Sequence, residues 1–133
     1  MTRPGPIDRF WEVFRFGFVG GLASLVHFVV ASALFWTMPG RLFAANVAGF
    51  AVAFFVSYFG HYHLTFRAGT AHGDSIWRFG LVALLGFAIN MAVLALFTWL
   101  VGYQTLAGLA VAIVFAAGSV YLLSRTWAFR GVR

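Results

Sequence analysis

Two polar side chains sit deep inside long uncharged stretches of the sequence, His27 and Asn90. Imidazole and carboxamide each offer hydrogen-bond donors and acceptors. A polar group that far into an apolar run needs a partner, a cavity or a ligand. Ser24, one helical turn before His27, adds a hydroxyl, and Gly20, Ala23 and Ala31 leave space in front of the ring. Asn46 and Ser57 complete the candidate substrate-binding set. Two readings of the His27/Asn90 pair stay open, an interhelical hydrogen bond and a substrate contact. Asn46 fits either a cap for the turn after Pro39 or one wall of an exit site.

A second set is cationic. Arg15 and Arg78 stand at the start of two apolar runs, and Arg67, Arg125 and Arg130 at the ends of two others. A guanidinium binds phosphate through two parallel hydrogen bonds while its stem lies along apolar surface. These five are the candidate phosphate-binding residues; interfacial arginines also set topology and bind anionic lipid.

What is missing narrows the chemistry further. No acid lies within any long apolar run, so no membrane carboxylate is available to carry protons or pair with a cationic drug. No Gly-rich phosphate loop ending in Gly-Lys-Ser/Thr and no Ser-His-Asp set is present. With no cysteine, disulfides and thiolate chemistry are excluded. His61 and His63 alone are too few to fix a metal and read as solvated interfacial histidines. An enzyme is not expected, and no cofactor or metal is implied.

The elements that must position these residues follow from composition. The chain has 133 residues, of which 62% are hydrophobic and 9% charged, a balance far from that of a soluble domain. Four stretches contain no acid, lysine or arginine: 16–38, 42–60, 79–103 and 105–124. Each is close to the roughly 20 residues that a helix needs to cross the hydrocarbon core. Pro39-Gly40-Arg41 and Gly102-Tyr103-Gln104 are tight breaks, whereas 61–78 is a longer polar connection. A cleaved signal peptide at Ala31-Ser32-Ala33 is disfavoured by Asp8 and Glu12 and by the apolar residues that follow.

Eight arginines fall on one side of these spans and only Arg41 on the other. The positive-inside rule therefore places both termini and the central loop in the cytoplasm. Trp11, Trp77 and Trp127 fit one aromatic belt, and Trp36 and Trp99 the other. Ile7, Phe10, Trp11 and Phe14 share a helical face, which predicts a short interfacial helix before the first span. The net charge of +6 comes with no basic face or nucleic-acid motif, so its expected partner is membrane lipid rather than nucleic acid.

Shifted by 63 positions, residues 15–67 share twelve identities with 78–130, where the composition supplies about five by chance. Arg15-Phe16-Gly17 falls on Arg78-Phe79-Gly80, Trp36 on Trp99, Tyr58 on Tyr121, and His27 on Asn90. Asn46 falls on Leu109. Because each copy holds two spans, the copies are parallel, related by an axis along the membrane normal. The expected fold is an all-α membrane protein of four transmembrane helices built as two parallel two-helix repeats. Its single domain divides into an interfacial segment 1–15, repeat 16–67, cytoplasmic loop 68–77 and repeat 78–130. Small residues in rows, Ala45/Gly49/Ala53/Ser57 and Gly108/Ala112/Ala116, predict close helix packing, as does the pair Gly17/Gly21.

Arg15-Phe16-Gly17-Phe18-Val19-Gly20-Gly21, Ala45-Asn46, Ser57-Tyr58-Phe59-Gly60-His61-Tyr62-His63-Leu64-Thr65-Phe66, Arg78-Phe79 and Tyr121-Leu122-Leu123-Ser124-Arg125-Thr126-Trp127-Ala128-Phe129 together resemble the GtrA-like family of small four-span bacterial membrane proteins. The resemblance covers residues 15–130. It departs from the family at His61-Tyr62, where Asn-Arg is common. It implies translocation of a polyprenyl-phosphate-linked sugar across the bacterial inner membrane for cell-surface polysaccharide synthesis, with a membrane glycosyltransferase as partner. The alternatives are an anchor for that glycosyltransferase that moves nothing, and a small multidrug-type exporter. So thin a bundle also predicts a homo-oligomer.

Overall fold

A computed structural model describes residues 6–61, 63 and 72–127. It consists of four helices: α1 Pro6–Thr37, α2 Leu42–Gly60, α3 His72–Val101 and α4 Leu106–Trp127. The two tight breaks are where the sequence puts them. Gly40 and Gly102 turn the chain with φ of 80° and 87°, a left-handed conformation that a Cβ would oppose.

Two helix boundaries differ from expectation. The segment before the first span is not a separate interfacial helix, because α1 runs without interruption from Pro6 to Thr37. No proline lies beyond its first residue, and the glycines Gly17, Gly20 and Gly21 are accommodated without breaking the helix. The face carrying Ile7, Phe10, Trp11 and Phe14 is exposed, as an amphipathic stretch requires, but it belongs to the same helix as the span. Likewise α3 begins at His72, so the second half of the polar connection is helical.

Within the described residues, Phe14–Thr37, Leu42–Gly60 and Gly80–Val101 are long and apolar enough to cross a bilayer, and Leu106–Leu122 is a shorter apolar helix. Only 22%, 28% and 17% of the residues in the most apolar windows of the three long spans are buried in the protein, so most of their apolar surface faces outward. Lipid is the only solvent in which that surface is stable. Trp36 and Trp99, which the repeat equates, are both 76% exposed, matching outward aromatic anchors.

α1 packs chiefly against α2 and α3 against α4, with smaller contacts between α1 and α4 and between α2 and α3. The rows of small residues make these contacts. Ala45, Gly49 and Ala53 are buried on α2, and Gly108, Ala112 and Ala116 on α4. A Cβ on Gly49 would stand 2.7 Å from the His27 carbonyl oxygen and 2.9 Å from the Ala31 Cβ, so this glycine sets how closely α1 and α2 approach. The pair Gly17/Gly21 does not behave this way. Both residues are exposed with open space beside them, so their small size is not used for packing inside the monomer. The apolar core centres on Ala31, Leu42, Leu94, Leu109, Ala112 and Ile113.

The two helices after the turns begin differently. At α4 the Thr105 hydroxyl accepts from the Gly108 N–H at 3.0 Å, a local N-cap. The equivalent position in the first repeat is Leu42, which has no side-chain oxygen. Its N–H donates instead to Gln104 Oε1 at 2.7 Å, so the turn of the second hairpin caps α2. One hydrogen bond thereby ties the two hairpins together at their turns.

Candidate functional site

His27, Asn46 and Asn90 are brought together in the middle of the bundle, exposed by 6%, 0% and 2%. His27 Nε2 lies 2.7 Å from Asn46 Oδ1 and 3.1 Å from the Asn46 backbone oxygen. A carbonyl oxygen carries no proton, so the second contact requires Nε2 to be the donor. That fixes Oδ1 of Asn46 as the acceptor and turns its Nδ2 toward α3. There it donates to Asn90 Oδ1 at 2.6 Å and to Met91 Sδ at 3.2 Å. Asn90 Nδ2 is left as a buried donor with no hydrogen-bond partner. The chain of bonds therefore runs in one direction, His27 to Asn46 to Asn90, and ends on an unused N–H. Aligned bonds of this kind polarise one another, which strengthens the terminal donor.

Helix packing explains how three separate positions converge. Asn46 follows Ala45 and precedes Gly49, the two small residues through which α2 meets α1. The absence of a side chain at Gly49 lets the His27 backbone come close enough for its ring to reach Asn46. Phe50, one turn further along α2, packs edge-on to the His27 ring at 6.1 Å between centroids and stacks on Phe87 of α3 at 4.2 Å. The α2–α3 contact is thus made by one polar pair and one aromatic pair, a turn apart.

Asn46 is accordingly not a cap for the turn after Pro39. The residue flanking α2 is Arg41, with no side-chain cap, and the Leu42 N–H is taken by Gln104. Ser24 is half-buried one turn before His27, and Ser57 is half-buried eleven residues beyond Asn46, outside the cluster. Its carbonyl accepts the N–H of His61. His61 is 4% exposed, with its ring against Phe16 at 4.6 Å, and burial holds its pKa below the ordinary histidine value; His63 is exposed.

Of the candidate phosphate ligands, Arg15 is exposed on α1. Arg78 and Arg125 belong to α3 and α4, but their side chains lie outside what is described, as do Arg67 and Arg130 altogether.

A bundle of long apolar helices with outward apolar faces and a buried polar cluster defines a multi-pass helical membrane protein. The chain belongs to the GtrA family. The profile of the GtrA/DPMS transmembrane domain matches residues 15–131. That family is associated with polysaccharide synthesis and modification and is generally non-catalytic. No curated protein and no solved structure matches the chain.

Proposed function

We propose that this protein moves a polyprenyl-phosphate-linked sugar from the cytoplasmic to the outer leaflet of the bacterial inner membrane, with both termini in the cytoplasm. The observation that carries the proposal is the unpartnered donor of Asn90 at the end of a buried hydrogen-bonded chain. A sugar or phosphate head group is rich in acceptor oxygens, and an unused N–H inside the bilayer stabilises one as it crosses. Family membership adds the polysaccharide context. The five arginines supply the entry side: Arg15 and Arg78 at the inner ends of the first and third spans, and Arg67, Arg125 and Arg130 after the second and fourth, offer guanidinium forks for the phosphate. The parallel repeats give the two halves surfaces related by a rotation about the membrane normal, as in some transporters. No catalytic role is assigned, and a multidrug-type exporter is set aside because no span carries an acid.

A second reading has its own support. His27, Asn46 and Asn90 bond to one another in a closed core, as residues that only hold helices together would do. Under it the chain anchors a membrane glycosyltransferase and transports nothing. Reconstitution of the purified protein in liposomes without that partner distinguishes the two. Translocation of a labelled polyprenyl-phosphate sugar that is lost in His27→Leu and Asn90→Leu, both still inserted and folded, supports the flippase. Vesicles as slow as protein-free ones leave the anchor.

A further inference from the structure

The face between α2 and α3 carries an open apolar groove of about 430 Å³. Ala51 and Phe55 of α2 and Gly80 and Leu84 of α3 line it, with Phe50 and Phe87 also in its wall. Ala51, Phe55 and Leu84 are exposed, the latter two by 59%, so the groove opens sideways to the bilayer. From Gly80 to Phe87 it runs about 10 Å along α3 at the usual helical rise. The stacked Phe50–Phe87 pair belongs both to this groove and to the surroundings of the polar cluster, since Phe50 also touches His27 and Phe87 is one turn from Asn90.

The repeat provides an internal comparison. Phe50, Phe87 and Leu84 correspond to Ile113, Ser24 and Gly21, so the matching face of α1 and α4 lacks the aromatic pair. That side has its own apolar depression, of about 350 Å³ along α4 at Ala110, Val111, Val114 and Phe115. It follows Leu109 where the other groove follows Asn46. Two apolar recesses of similar size thus differ in what lies beside them. The α2–α3 groove ends at Phe87, one helical turn from Asn90 and its unpaired Nδ2.

From these facts we infer that the α2–α3 groove is the seat of the isoprenoid chain of the transported lipid, whose head-group oxygen accepts the Asn90 Nδ2 proton once Phe50 and Phe87 part. The inference rests on the flippase reading for the identity of that lipid. An occupant must be apolar along the groove and carry an acceptor at one end. Ordinary acyl chains meet the first requirement alone, because their ester oxygens stay at the interface, whereas a head group in transit reaches mid-membrane.

Because the protein has no cysteine, a single Ala51→Cys or Val114→Cys can carry a fluorophore on either face. In phosphatidylcholine/phosphatidylglycerol vesicles, a nitroxide-tailed polyprenyl-phosphate glucose should quench the Ala51 label with about tenfold preference over a nitroxide-tailed phosphatidylcholine, the size that one charge-assisted hydrogen bond confers. The Val114 label should show no preference. Asn90→Leu should abolish the preference at Ala51. Gly80→Leu should also abolish it, by filling the groove at a position with open space around it, so that misfolding is not at issue. Equal quenching by the two lipids at Ala51 would make the groove ordinary annulus and overturn the inference. Loss of quenching by both at Ala51 would mean that a second copy of the chain covers it, which also overturns it. A preference that survives both substitutions does the same. Preference at Ala51 without translocation leaves the groove standing and removes the flippase reading, so the two fail separately.

Discussion

Replacing Asn46 by leucine separates the hydrogen-bonded cluster from simple packing, because the second repeat already holds a fully buried leucine at the equivalent position, Leu109. The substitution removes the 2.7 Å bond from His27 and the 2.6 Å bond to Asn90. Interhelical hydrogen bonds in membranes are worth about 0.6 kcal/mol each on average, so the two bonds account for about 1 kcal/mol. The larger part comes from Asn90, whose side chain is then buried with no partner on either polar atom, at about 1–3 kcal/mol. The total is about 2–4 kcal/mol. Asn90→Leu alone should cost about 1 kcal/mol or less, since it loses one bond but also removes the unpaired Nδ2, and Asn46 Nδ2 keeps Met91. In the double variant no amide is left without a partner, and His27 still has the Asn46 backbone carbonyl, because a backbone atom survives the substitution. The double variant should therefore be more stable than Asn46→Leu alone, with a coupling of about 1–3 kcal/mol. Unfolding in mixed micelles with increasing SDS, followed by the fluorescence of the five tryptophans, measures all four corners of the cycle. Effects that add within about 0.5 kcal/mol would refute the linked chain of donors.

Other expectations can be checked alongside it. Gly49→Ala should destabilise by about 1–3 kcal/mol in the same assay, because the atom its Cβ meets is the backbone oxygen of His27, which cannot move without shifting α1. Gly108→Ala should be milder, since its nearest contact is the edge of the Phe97 ring, and Gly17→Ala, with open space around it, should be neutral or stabilising by about 0.5–1 kcal/mol. Cysteines at Thr2 and Thr70 should be shielded from an impermeant thiol reagent in intact cells and one at Gly40 labelled; labelling at Thr70 reverses the orientation. Arg15→Lys and Arg78→Lys should keep insertion and lose most translocation of the labelled sugar lipid, and full activity in both leaves these arginines only a topological role.

The helices and turns were legible because their causes are local. Uncharged runs, the Pro39-Gly40 and Gly102 breaks and the rows of small residues each act over a few positions. The pairing of His27 with Asn90 was legible only as a matched depth, through the repeat. Its intermediary was not, because Asn46 has no polar counterpart and stands four residues into its helix, where a cap is the simpler explanation. The informative signal was its place beside Ala45 and Gly49, on the side of α2 that meets its neighbours. Met91 as a second acceptor, and Gln104 as the cap of a helix in the other hairpin, depend on side-chain reach across helices, which no spacing in one sequence reveals. The continuity of α1 was missed for the opposite reason: amphipathic patterning shows which face is apolar and not where the axis bends.

The bond from Leu42 to Gln104 joins the hairpins at their turns, and the bond from Asn46 to Asn90 joins them again in the middle of the bundle. Both ties hold α2, so the first hairpin is fastened to the second along one helix and at two depths. Parting the hairpins in mid-bundle breaks the Asn46–Asn90 bond, and parting them at the turns breaks the Gln104 bond as well. Two side-chain amides at different depths thus resist separation of the halves independently, and the loss of one leaves the other in place.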